Sequence, residues 1–280
     1  MIMKESILIT GTSSGIGKNT AVMLAQNGYN IIAGVRKEED FKTLEKVHQN
    51  IKPIFLDVLS KQSLETAYKK LSDENIELIG IINNAGAVVA QPVECINIDD
   101  LKYQFELNTI APVAVTQTFL PLMKKGKIIN ISSMASTGIF PYIAPYCASK
   151  RAMDILFNSL SLEFKNKNIK IVSIKPGSIK TPIWNKSISN NKKSLDNIDE
   201  KFKQKYEKDM NFLAKNAEKN NYKALDAEKV SKTILKVLKT KNSKSSYCVG
   251  IDSKIACLIS KLPQDLLNKI ILCQLKKKLK

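Results

Sequence analysis

Residues 6–28 read SILITGTSSGIGKNTAVMLAQNG. The first five form a short apolar run, the pattern of a strand buried in a parallel sheet. The run ends at Gly11. From Ile16 to Ala25 apolar residues recur at helical spacing, and Gly28 supplies a stop. Strand, glycine-rich turn and helix, in that order, are the context a dinucleotide site requires. Gly11 permits the tight turn. Gly15 and Gly17 let the backbone approach a pyrophosphate and let the helix pack on the sheet. Free amides at the helix start face the phosphates. Taken alone, a glycine trio also fits an ordinary turn between a strand and a helix.

The alternation continues outward. YNIIAGVR (29–36), KPIFLDV (52–58), IELIGIINNAG (76–86), GKIINISS (126–133), NIKIVSIKPG (168–177) and SYCVG (246–250) read as further strands, separated by helical patterns. Strands alternating with helices mean an α/β fold, a parallel sheet covered on both faces. Gly11, Asp57, Asn83, Ser133 and Pro176 then fall at carboxyl ends of strands, where such sheets bind ligands.

Several of these ends carry chemistry. After Val35 comes Arg36, one of two arginines in a chain with 44 Lys+Arg. A guanidinium suits a 2′-phosphate and favours NADP(H). Glu38, Glu39 and Asp40 follow, and an acid among them would keep NAD(H) as the alternative. Asp57 either accepts a bond from an adenine amino group or caps the next helix. Asn83, Asn84, Ala85 and Gly86 let the backbone pass beside the adenine ribose, or form a plain turn. Residues 99–123 have a helical pattern containing Asn108 and, four residues later, Pro112. Proline cannot donate to the carbonyl of Asn108, so the helix is expected to be irregular there, with a carbonyl able to hold a water.

Residues 132–150 read SSMASTGIFPYIAPYCASK. Tyr146 and Lys150 stand at i, i+4, on one face of a helix. An ammonium group beside a phenol is expected to favour the phenolate and lower a pKa normally near about 10. Tyr146 would then exchange a proton near neutral pH, with Ser133 bonding the same reacting oxygen. In a chain with 8 tyrosines and 44 Lys+Arg, this spacing alone is no better than chance.

The 280 residues are 44% hydrophobic, enough for a full core, and carry a formal charge of +18. That charge raises nucleic acid or an anionic membrane as partners. No aromatic-interleaved basic stripe, zinc-ligand spacing or recognition helix accompanies it, so it reads as a lysine-rich solvated surface with no nucleic-acid partner. The five cysteines are scattered and lack a Cys-x-x-Cys, which indicates free thiols in a reducing compartment. With no signal peptide or transmembrane run in view, a cytoplasmic location is expected. His48 is the sole histidine, which argues against histidine catalysis and histidine metal sites.

From Ser178 to about Leu225 the segment is polar and lysine-rich and reads as a mobile flap over the substrate. Trp184 within it is a candidate substrate contact or simple packing. Asp226 is placed to cap the next helix. The tail, about 254–280, alternates apolar runs with lysines. Packing against the same domain is its default reading; a dimer contact, a lid or a weak membrane-surface contact are the alternatives. With no repeat or linker in evidence, residues 1–280 are read as one domain.

These motifs together resemble the short-chain dehydrogenase/reductase family over nearly the whole chain. Thr10-Gly-x-x-x-Gly-Ile-Gly17, Asn83-Asn-Ala-Gly86, Asn108, Ser133 with Tyr146-x-x-x-Lys150, and Pro176-Gly177 with Thr181 occur in family order. The resemblance implies a Rossmann-type, doubly wound sheet of about seven strands and hydride transfer with a nicotinamide. It implies Tyr146 as general acid/base and Lys150 as the group that lowers its pKa and binds the nicotinamide ribose. It implies that Ser133 polarises the substrate oxygen and that Asn108 holds a water linking Lys150 to solvent. Gly11, Ser13, Ser14, Ile16 and Gly17 would line the pyrophosphate, and Asp57 and Val58 the adenine. Asn84 (or Asn83), Ala85 and Gly86 would border the ribose, and Pro176, Gly177, Ile179 and Thr181 the nicotinamide carboxamide. One NADP marker is missing, because Ser14 stands where a basic residue would precede Gly15. GVRK, KPGSIKTPIW and the SYCVG-plus-tail ending look most like the hydroxysteroid- and retinol-dehydrogenase-like members. That suggests a hydrophobic alcohol or ketone substrate and a homo-oligomer. Two alternatives stand beside this reading: a non-catalytic dinucleotide-binding sensor or scaffold, and a basic protein for nucleic acid or membrane surfaces.

Overall fold

The computed structural model describes residues 5–181, 200–209, 211 and 224–279, with the backbone alone from 274 onward. The strands are β1 (Glu5–Ile9), β2 (Asn30–Val35), β3 (Ile51–Phe55), β4 (Glu77–Asn83), β5 (Gly126–Ile131), β6 (Ile169–Pro176) and β7 (Ser246–Val249). They form one sheet in the order β3-β2-β1-β4-β5-β6-β7, with every pairing parallel. The helices are α1 (Gly15–Gln26), α2 (Glu38–Glu45), α3 (Lys61–Asp73), α4 (Ile98–Phe105), α5 (Ala111–Phe119) and α6 (Ala144–Glu163). They continue with α7 (200–209), α8 (Ala227–Lys239), α9 (Ile251–Ile259) and α10 (Gln264–Leu279).

Near-continuous apolar strands follow from burial on both faces, since successive side chains point to opposite sides. Leu8, Ile32, Ile81 and Ile128 face one way, against Val115 and Phe119 of α5 and Phe157 of α6. Ile7, Ile9, Ile31, Ile82 and Ile129 face the other, against Leu24 of α1 and Val230, Ile234 and Val237 of α8. A buried polar pair, Thr20 and Ser231 at 2.9 Å, joins α1 to α8. Lys127, buried in β5, donates to the carbonyls of Val237 (2.6 Å), Leu238 (3.1 Å) and Thr240 (2.6 Å). It thereby satisfies the last carbonyls of α8.

Three boundaries matter for the site. The strand order reverses between β1 and β4, which opens a crevice at their carboxyl ends. The expected disturbance at Asn108 takes the form of a π-helical turn, Glu106–Ile110, between α4 and α5. Ser60, not Asp57, caps α3, accepting from the Ser63 amide at 3.2 Å.

One other expectation gives way. Asp226 occupies the N-cap position of α8 but makes no capping bond; its carboxylate lies 3.7 Å from the Lys180 ammonium. The tail packs on the domain through α9, which contacts β7 and the 3-10 turn Met134–Ser136, while α10 is more open. None of the described side chains of α10 is buried.

Candidate active site

The glycine turn is closed by the chain itself. Gly11 (φ +67) and Gly15 (φ +56) take left-handed backbone that a side chain would strain. The Asn84 side-chain amide donates to the carbonyls of Thr10 and Gly11, both at 2.9 Å. The Thr10 hydroxyl accepts from the amides of Asn84 and Ala85, both at 3.0 Å. A Cβ on Gly17 would sit 2.3 Å from the Gly11 carbonyl oxygen and 2.4 Å from the Asn84 amide nitrogen. So Gly17 is glycine because the turn folds back onto α1. The Asn84 side chain braces that turn, and Asn83 is buried, donating to Thr116 and Asn130. Ser13, Ser14 and Ile16 are half-buried at the rim, and no side chain caps α1 at Ser14. The first amides of α1 are therefore positioned for an anion, a cradle that fits a pyrophosphate.

Further along the same edge, Arg36 is exposed immediately beyond β2. The Asp57 carboxylate accepts from the Leu59 amide at 3.1 Å, and the Asp57 amide donates to the Ser63 hydroxyl at 2.9 Å. Val58 is buried in the core beneath.

Across the crevice, α6 carries Tyr146 and Lys150, both buried. The Lys150 ammonium donates to the Ile131 carbonyl at 2.8 Å. Gly86 leaves it room, since a Cβ there would lie 3.1 Å from Asn108 Oδ1 and 3.5 Å from Lys150 Nζ. The Asn108 side chain exchanges bonds with Ala87, accepting its amide at 3.1 Å and donating to its carbonyl at 2.9 Å. It also donates to the Ser149 hydroxyl at 3.2 Å, which in turn donates to the Tyr146 carbonyl at 2.9 Å. The π turn thus fixes the helix that presents the tyrosine.

The electrostatics differ from the expected lysine-lowered phenol. Burial pushes the Tyr146 hydroxyl up to about 12, and a hydrogen bond with Ser133 opposes the rise. Burial pulls Lys150 down to about 8, with Asp154 one turn on working the other way. Lys150 is not among the groups acting on Tyr146; its ammonium is turned to the Ile131 carbonyl, and desolvation dominates both residues.

Beyond β6 the chain from Pro176 runs into a short ladder. The Leu225 amide donates to the Ser178 carbonyl at 3.0 Å, and the Lys180 amide to the Leu225 carbonyl at 2.9 Å. Ile179 turns its side chain into the core, so only its backbone is free to face a ligand, while Thr181 stays half-buried. At Gly177 a Cβ would meet the Asp252 carboxylate at 2.0 Å. Asp252, at the start of α9, accepts from the Ser178 amide at 2.6 Å. Of the expected flap, Trp184 lies outside the described residues. The described helix α7 is tied to the loops after β4 and β5. Asp209 accepts from the Tyr142 hydroxyl at 2.6 Å, and Glu94 binds Lys205 at 2.6 Å and the Tyr206 hydroxyl.

Sequence spacing offered no signal for Asp252, which sits 74 residues from the amide it binds. The scattered cysteines also hid a pair, because the fold brings the free thiols of Cys248 and Cys257 to 2.7 Å.

Comparison with known proteins agrees with this fold. The family model described as short chain dehydrogenase matches residues 5–192. The chain is 33% identical over 256 residues to the 3-amino-tetrahydro-pyrrolizinone reductase of Xenorhabdus hominickii, covering 90% of this chain and 88% of that one. It is 33% identical to the NADPH-dependent 3-dehydrocapnine reductase of Ornithobacterium rhinotracheale over 65% of this chain and 68% of that one. It is 28% identical to estradiol 17-beta-dehydrogenase 2 of Mus musculus over 96% of this chain and 74% of that one. A short chain dehydrogenase from Burkholderia cenocepacia, solved with NADP, superposes with a TM-score of 0.73 at 20% identity, covering 97% of this chain and 99% of that one. The chain belongs to the short-chain dehydrogenase/reductase family, oxidoreductases that act on CH–OH and C=O groups with NAD(P).

Proposed function

We propose that this chain is an NADP(H)-dependent enzyme interconverting a hydroxyl and a carbonyl on a hydrophobic small molecule, with Tyr146 as the proton donor and acceptor. The observation that carries this reading is the buried Tyr146, bonded to Ser133 and followed one turn later by Lys150, across the crevice from a preformed anion cradle. A bound nicotinamide supplies the hydride to the carbonyl carbon. Tyr146, held protonated at neutral pH by burial, gives its proton to the carbonyl oxygen, while Ser133 holds that oxygen in line. Lys150 keeps its positive charge only below about pH 8; as an ammonium bonded to the Ile131 carbonyl it has further N–H groups to offer the nicotinamide ribose. Asn108, through Ala87 and Ser149, keeps α6 in register for this transfer.

Arg36 supports NADP(H) over NAD(H), as do the NADPH-dependent relative and the NADP-bound neighbour. Against it, Glu38, Glu39 and Asp40 occupy the first turn of α2. The ties from α7 to Glu94 and Tyr142 support a cover over the site by this helix, within a single catalytic unit; the rest of the expected flap lies outside the described residues. Ile110, Ile155 and Leu162 are exposed on the π turn and α6, which supports self-association through that face.

The test is a panel of hydrophobic ketones and alcohols followed by nicotinamide absorbance. Turnover with NADPH on at least one member is the expected result; NADPH binding without turnover on any member would replace this reading with a non-catalytic sensor. Arg36→Ala should reduce the preference for NADPH over NADH by about tenfold, the value of one charge-assisted hydrogen bond. An unchanged preference would remove Arg36 from the account.

A further inference from the structure

The last two helices leave an apolar surface uncovered. Ile251, Ile255, Leu258 and Leu262 recur at helical spacing and are 76%, 51%, 68% and 37% exposed. On α10 Leu266 and Leu272 are also exposed, at 45% and 55%, but six positions apart they do not share one face. Side chains three and four apart share one face of a helix, so Ile251 to Leu262 form a continuous stripe along α9 and the turn that follows it. Lys254 and Lys261 each stand one residue before a member of the stripe and flank it; both are exposed. Lys269 and the lysines at 276–278 and 280 continue the positive charge to the end of the chain. The acids between 251 and 280 are Asp252 and Asp265, and Asp252 is held by the Ser178 amide.

We infer that α9 and the turn after it form a docking surface for an anionic phospholipid bilayer, lying in its interface with Ile251, Ile255, Leu258 and Leu262 inward and the flanking Lys254 and Lys261 at the headgroups. Charge decides between this occupant and a second copy of the chain. Two copies meeting on this stripe would bring two lysine clusters together with Asp265 as the only acid left free on each. Another exposed apolar face, around Ile155 and Leu162 of α6, is flanked by Arg151 and Glu163, one charge of each sign. That face suits a copy of itself; the C-terminal one suits a surface of opposite charge. Among the described residues no helix is long and apolar enough to cross a membrane, so α9 lies on the bilayer. Long lysine side chains flanking an apolar stripe reach the headgroup level while their stems stay in contact with lipid.

The surface is coupled to the site. α9 packs on the short 3-10 turn Met134–Ser136, which directly follows Ser133. At its start Asp252 holds Ser178, and the Ser253 hydroxyl donates to the Lys175 carbonyl at 2.7 Å. A bilayer under α9 would therefore lie next to the crevice rather than on a remote face.

Flotation of the full chain with liposomes tests this. Vesicles of phosphatidylcholine with phosphatidylglycerol should carry the protein, and pure phosphatidylcholine vesicles should not. Ile255→Asp with Leu258→Asp should lower partitioning by tenfold or more. Both positions are exposed, and an unchanged melting temperature establishes that the fold is intact. Replacing Lys254 and Lys261 by glutamine should weaken binding by roughly fivefold per charge, and added salt should reproduce that loss. Equal partitioning of wild type and the stripe variant would overturn the proposal. So would binding to anionic vesicles that ignores salt, or a stripe variant that alters only the oligomeric state.

Discussion

The glycine turn and the tyrosine pocket stand on opposite sides of one crevice and are built differently. The turn is held by neutral hydrogen bonds between backbone and side-chain amides: Thr10, Gly11 and Asn84 close on one another. Its geometry leaves no space for a methyl group at Gly17. The pocket is made from two ionisable residues held out of water, each shifted toward its neutral form. A change in the turn should act through shape and be felt at every pH. A change in the pocket should act through protonation and be felt within a pH window.

The largest expected effect lies in the pocket. Tyr146→Phe should lower turnover by about 10²–10⁴-fold, the usual worth of a positioned proton donor, and leave the melting temperature and NADPH affinity near wild type. Retained turnover would mean that the proton comes from elsewhere.

Lys150 gives the next. Its folded pKa near 8 lies below its ordinary 10.5. Between these values the unfolded chain binds the proton and the native chain does not, so stability rises with pH across that window. Below about pH 8 the full cost of holding the ammonium in the fold remains, on the order of 3 kcal/mol. Lys150→Met should be more stable than wild type at pH 7 by up to that amount, and the gap should narrow by pH 9.5 in urea unfolding. The rate of carbonyl reduction by the wild type should fall as pH rises through about 8. A constant gap between the two proteins would mean that Lys150 is not desolvated.

Gly17→Ala probes the other side. Overpacking against the Gly11 carbonyl should cost about 1–3 kcal/mol at any pH and weaken NADPH binding. Gly28→Ala is its control: unlike Gly17 it has positive φ, but nothing lies within 4 Å of its Cβ position. That variant should lose about 1 kcal/mol through backbone strain and keep its NADPH affinity. Equal loss of affinity in both would show that close approach is not what Gly17 provides.

Asp252→Ala should have the smallest effect. It leaves the Ser178 amide without its acceptor, a loss of about 1 kcal/mol. Its effect should appear in KM for NADPH rather than in the pH profile.

The same contrast explains what could be read from the sequence. The turn was legible because glycine spacing encodes backbone shape directly, and the alternating strands and helices carried the seven-stranded parallel sheet. Pro112 announced the disturbance at Asn108, since proline's missing donor is a local fact. The bracing by the Asn84 side chain was not legible, because its partners lie 73 and 74 positions away in β1's turn. Nor was the electrostatics of Tyr146. An i, i+4 lysine suggests a lowered phenol, but burial is set by the whole sheet, and it moved the phenol upward. Asp252 and the Cys248–Cys257 pair depend on how the end of the chain folds back to β6 and the Ser133 loop, for which local spacing holds no signal.

The account rests on proton transfer from Tyr146 coupled to hydride transfer. The direct measurement is deuterium transfer from C4-labelled NADPH to a ketone that the enzyme reduces, in wild type and in Tyr146→Phe. The wild type should place the label on the carbinol carbon, and Tyr146→Phe should bind the labelled NADPH with near-wild-type affinity yet transfer it at least 10²-fold more slowly. Product without label, or equal transfer rates in the two proteins, would contradict it.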